Sequence, residues 1–181
     1  RSVNYMRKRI LRVFIGGVAL LILILLVRTA KYWVGVSKDN IETNARQFQG
    51  ISEDWITTQE TTDTISAMLF YSNDCANFAY SIYLNKPGFS FGYFFRTGGT
   101  ISEIENGIVA ISFEGYSDIV YLSMNKAEIS SISIDDGSKI ETIKTDITAP
   151  FVVILPNNAG NVTFLDAGGN TVDFVCREFP E

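Results

Sequence analysis

The sequence predicts a mainly β protein, in which an N-terminal transmembrane helix and a short helical stalk precede an antiparallel β-sandwich, with a barrel as the alternative closure of the same strands. Three observations carry this reading. Residues 13–27, VFIGGVALLILILLV, contain no polar side chain. Residues 37–65 are polar and place their few apolar side chains at helical intervals. From residue 66 onward the apolar residues alternate with polar ones, β-branched and aromatic types dominate, and turn residues recur at short intervals.

Taken in order, residues 1–12 form a short basic tail, with Arg1, Arg7, Lys8, Arg9 and Arg12 and no acidic residue. The apolar block follows, bounded by Arg12 and Arg28. At about 1.5 Å per residue it falls short of a hydrocarbon layer of about 30 Å, so the expected anchor is drawn over 13–36, with Tyr32 and Trp33 at the interface. A cleaved signal peptide competes for the same block, but a cut after Ala30 places Arg28 where a small residue is required. The basic flank puts the tail in the cytoplasm and the rest of the chain outside it.

The stalk, 37–65, carries Ile41, Ala45, Phe48, Ile51 and Trp55 on one helical stripe, with Ser37 or Asp39 as its cap and Gly50 as its stop. Ten strands are expected in the extracytoplasmic domain, 66–181: 66–72, 78–84, 89–97, 107–113, 119–124, 128–134, 138–144, 151–155, 162–166 and 171–176. Asp136-Gly137 and Gly168-Gly169-Asn170 mark hairpins, and Pro87-Gly88 and Pro156-Asn157-Asn158 mark turns. The glycines of Arg96–Thr100, RTGGT, read as a turn, since no lysine follows in the manner of a phosphate-binding loop.

Charge and composition narrow the functional classes. From residue 37 onward the chain has eight basic against twenty acidic residues, hence −12, which disfavours nucleic acid as a partner. There is no histidine and no CxxC pair, so neither a zinc site nor a histidine-based nucleophile is expected, and no cofactor motif occurs. Cys75 and Cys176 are candidates for a disulfide closing a loop of about 100 residues, worth roughly 4 to 5 kcal/mol in the chain-entropy model.

Phe89, Phe91, Tyr93 and Phe95 stand at alternate positions and would share one strand face. They read as core, or as a binding stripe if exposed. Acidic pairs at Glu53-Asp54, Glu103 with Glu105, and Asp135-Asp136 lack the spacing of a calcium loop. The expected function is therefore a non-enzymatic, membrane-anchored, extracytoplasmic protein-interaction module. Its partners would be the lipid bilayer, through residues 13–36, and another membrane or envelope protein. The alternatives are a glycan-binding module using the aromatics, Tyr80, Tyr83, Tyr116 and Tyr121 among them, and a carboxylate-dependent hydrolase.

Overall fold

The computed structural model describes residues 15–26, 34–85 and 92–180. Residues 15–26 form a helix, α1, in which every residue is exposed. The rest is mainly β, as expected. A 3₁₀ turn, Lys38–Asn40, leads into α2, Ile41–Gln49, and Gly50 ends that helix in the left-handed conformation at φ 66°. Among the described residues twelve strands follow, in three four-stranded sheets.

Sheet I consists of β1 (Ile56–Thr61), β2 (Ile65–Tyr71), β3 (Phe78–Asn85) and β4 (Tyr93–Gly99), all antiparallel and in chain order. Sheet II has the order β12-β5-β6-β9, formed by Phe174–Phe179, Ile108–Phe113, Asp118–Ser123 and Phe151–Pro156. Its β12–β5 pair is parallel, which strict antiparallel alternation did not anticipate. Sheet III has the order β11-β10-β7-β8, formed by Thr171–Val172, Asn161–Asp166, Ile129–Asp135 and Ile140–Lys144. The sheets remain separate, so the barrel alternative is not realised.

The alternation of side chains shows how the layers stack. Ile65, Ala67, Leu69 and Ile82 of sheet I meet Val109, Ile111, Val120, Leu122 and Ile154 of sheet II in the first core. On the other face of sheet II, Ile108, Ala110, Tyr121, Val153 and Leu155 meet Ile132, Ile134 and Phe164 of sheet III. The outer face of sheet I presents Met68, Phe70, Tyr83 and Tyr93 to Ile41 and Ala45 of α2. The order of layers is thus α2, sheet I, sheet II, sheet III. Sheets I and II are covered on both faces, which is why all seven residues of β2 are buried.

Several expectations are corrected. Residues 37–65 do not form a stalk: α2 packs on sheet I and residues 56–61 are its edge strand. The anchor cannot extend to residue 36, because Val36 is bridged to Tyr93 through two backbone hydrogen bonds of 2.8 Å. Arg96–Gly99 continue strand β4 instead of turning, and the short helix α3, Ser102–Asn106, follows. Gly98 is required there by close approach, since a Cβ would lie 2.7 Å from both the Gln49 side-chain nitrogen and the Tyr80 carbonyl oxygen. The expected strand 171–176 divides into β11 and β12, which belong to different sheets. Residues 13, 14 and 27–33 of the anchor, the Pro87-Gly88 turn, and Phe89 and Phe91 lie outside the described residues.

Candidate functional site

The aromatic stripe is only partly available for comparison with expectation. Tyr93 is buried, and its hydroxyl donates to the Thr62 carbonyl. Phe95 is half-buried, packed edge-on to Tyr83 and against Phe48, whose ring centroid lies 4.6 Å away. Tyr80, Tyr83 and Tyr121 are all core residues. Burial pushes the Tyr83 phenol up to about 12, and its hydroxyl donates to Asn44 Oδ1 at 2.8 Å. Of the tyrosines named for glycan stacking, Tyr116 alone is half-exposed. Among the described residues the one large exposed aromatic is Phe48 on α2, at 66%.

The two cysteines are free and lie in different layers. Cys75, in the turn between β2 and β3, packs against the core between sheets I and II. Cys176 is exposed on β12, two residues from Phe174, which packs into the core between sheets II and III. Side chains two apart on a strand share a face, so the thiols address opposite faces of sheet II and the expected disulfide is not formed.

The acidic pairs are dispersed. Glu103 accepts from Arg177 across to β12, and this partner holds its carboxyl below the usual range. Glu105 pairs with Lys126 at 2.7 Å. Asp136 caps the β7–β8 hairpin by accepting from Ser138 and Lys139, which lowers its pKa. Among the described residues no group of three His, Cys, Asp or Glu side chains is placed to hold a metal ion.

Three polar residues outside the expected set hold the domain together. Arg46 of α2 uses its whole guanidinium: it donates to Glu42 at 2.9 Å, to the Ser52 carbonyl at 2.7 Å, to the Trp55 carbonyl at 2.9 Å and to Thr57, while lying 5.1 Å over the Phe70 ring. Glu60 of β1 reaches to sheet II and accepts the Ile154 N–H at 2.8 Å, capping the free edge of β9; burial raises its pKa. Asp118 of β6 accepts from Thr64 at 2.6 Å and from Thr62 at 3.1 Å, fixing the β1–β2 turn. A run of threonines at 57, 58, 61 and 62 was the signal for β1, since β-branched residues favour strands over a stalk.

Among the described residues, two clefts border α2. One cleft of about 340 Å³ is lined by Lys38, Asp39, Glu42, Gln59 and Thr61. A second, of about 680 Å³, lies beside Glu42, Arg46, Gly50 and Glu53. Both are open, and of the charged groups that line them Lys38, Glu42 and Arg46 bond to Thr61, Thr57 and the 52–57 segment. The two clefts offer contact area with hydrogen-bonding groups at their rims. Compared with family models, curated proteins and solved structures, the chain matches none.

Proposed function

We propose that this chain is a membrane-tethered, extracytoplasmic, non-enzymatic interaction module, held at the bilayer by its apolar N-terminal block and engaging another membrane or envelope protein through its β domain. On this reading the module proper is the sandwich of sheets I and II, with sheet III as an added layer.

The observation that supports it is the contrast between α1 and everything after it. The three cores of the domain close using residues 36 onward, whereas α1 is apolar on all sides and exposed at every residue. A helix that is apolar all round requires an apolar environment, which water does not supply. Twelve residues of helix span about 18 Å. Among the described residues no helix is long and apolar enough to cross a membrane, so a crossing draws on the flanking residues 13, 14 and 27 as well. The interaction role rests on the open clefts beside α2, which offer contact area lined by hydrogen-bonding side chains.

In-cell crosslinking and affinity capture of the full-length protein tests this, compared with a version in which residues 34–181 are replaced by an unrelated soluble domain. The replacement starts at 34 because α2 and β1 belong to the domain. Both versions are expected in the membrane fraction after alkaline extraction, with one membrane or envelope protein enriched only by the natural domain. Release of both versions by alkali would overturn the tether, and identical capture by both would overturn the interaction role.

A further inference from the structure

We infer that the β domain has a fixed polarity at the membrane: the end carrying the Val36–Tyr93 bridge faces the lipid headgroups, and the end carrying the 72–77 turn, α3 and the 124–128 turn faces away. This rests on the anchor reading proposed above and adds to it an orientation and a short tether.

The two ends are defined by hydrogen bonds. At the first, Val36 and Tyr93 exchange backbone bonds, the Tyr93 hydroxyl and Asn85 reach the β1–β2 turn at Thr62 and Asp63, Thr62 and Thr64 bond Asp118, and Asn157 bonds the Ser117 carbonyl. Chain entry, the β1–β2 turn, the start of β6 and the end of β9 therefore share one end of the stacked sheets. At the other, Tyr71 pairs with Phe78, the Met124 N–H bonds the Ile104 carbonyl, and Asn125 bonds the Asp146 carbonyl. β2 runs from the first end to the second, and its seven residues at about 3.3 Å each separate the two by about 23 Å.

The bridge also shortens the tether. From residue 27, the last of the apolar block, to Val34 there are seven chain steps, at most about 25 Å at full extension. Were the bridge absent, the chain would be free back to Ser37, where the 3₁₀ turn begins, and the limit would rise to about 36 Å. Two glycines make the bridge sterically exclusive: a Cβ on Gly35 would lie 2.7 Å from the Tyr93 carbonyl oxygen, and one on Gly92 would lie 2.7 Å from the Val36 carbonyl oxygen. Any side chain at 35 therefore drives the two backbones apart. The bridged end is polar, with Asp39, Asp63 and Asp118, so it lies against the headgroup region across water and does not insert.

The experiment uses the full chain, carrying Cys75→Ser and Cys176→Ser, reconstituted in phosphatidylcholine vesicles that contain a gadolinium-chelating lipid. A nitroxide is placed by Asn158→Cys at the bridged end or by Asn73→Cys at the distal end; both residues are exposed. Relaxation enhancement is expected to be several-fold stronger at 158 than at 73. The difference is expected to shrink in a Gly35→Val background whose thermal unfolding midpoint stays within a few degrees of the parent. Equal enhancement at the two sites in protein that floats with the vesicles would overturn the orientation and leave the anchor intact. Failure to float would overturn the anchor, and the orientation with it.

Discussion

The two outermost sheets meet the same requirement in opposite ways. Sheet I carries Met68, Phe70, Tyr83 and Tyr93 on its outer face and needs α2 as a cover, whereas the outer face of sheet III centres on Ser131, Ser133, Thr142 and Thr163, with the apolar Leu165 and Ile140 only toward its ends, and no helix covers it among the described residues. The difference lies in the polar or apolar character of the outward positions, since both sheets turn an equally apolar inner face to sheet II. It teaches that the segment before the first strong strand is required by the strands after it. α2 is there because β2 and β3 are apolar on both faces, and its place is secured by Arg46.

The sharpest test of that contrast is Phe70→Ala. Phe70 is fully buried between α2 and sheet I, so the substitution is expected to destabilise by about 3 to 5 kcal/mol, read by chemical denaturation. Arg46→Ala should come next, at about 2 kcal/mol, because it abandons two backbone carbonyls and Thr57 at once. Hydrogen exchange localises it: protection is expected to fall over 51–57 and to hold in sheet III.

Glu60 gives the comparison a pH dependence. Its pKa is raised by burial, so between the ordinary value of 4.5 and the higher folded value the native state keeps a proton that the unfolded chain has released. Stability contributed by this group is present at lower pH and is lost as pH rises through the folded pKa. Glu60→Gln keeps an acceptor for the Ile154 N–H and should remove this slope, measured as thermal midpoint against pH from 4.5 to 7. An unchanged slope would assign it elsewhere. The lowered pKa of Asp136, Asp146 and Asp166 acts in the opposite sense, at lower pH, as those carboxylates protonate.

Two substitutions or treatments should do almost nothing. A reductant is expected to leave the unfolding midpoint unchanged, with both thiols titratable and Cys176 reacting before the less exposed Cys75. Ser133→Ala, on the open face of sheet III, should fall within about 0.5 kcal/mol of the parent. A loss comparable to that of Phe70→Ala would mean that sheet III is covered in the folded protein after all.

Much of the fold was legible because it is local. Alternation over residues 131–135 registers burial one residue at a time, the unbroken apolar run of 151–155 marks a strand covered on both faces, and Asp136-Gly137 marks the hairpin turn. β1 was harder to see because an edge strand with one covered face, ITTQET, has little apolar content. The polar residues that hold the layers were not legible either. Glu60 and Asp118 find partners 54 to 94 positions away, and nothing in their own neighbourhood marks them, whereas Arg46 had one local mark in Glu42, four residues before it. The disulfide expectation failed for a related reason: two cysteines offer no information on which face of which sheet each will occupy.

By itself, then, the sequence determined a mainly β domain behind an apolar block, the positions of most strands within a few residues, and the turns at Asp136-Gly137 and Gly168-Gly169-Asn170, since each follows from side-chain periodicity or from the backbone preferences of a few residues. Tertiary structure alone decided that there are three sheets, that β12 runs parallel to β5, that the supposed stalk is a layer of the domain, and that the chain enters through a glycine-lined bridge. Those outcomes depend on which apolar faces meet, and such a choice minimises exposed surface over the whole chain at once; no single stretch of residues contains it.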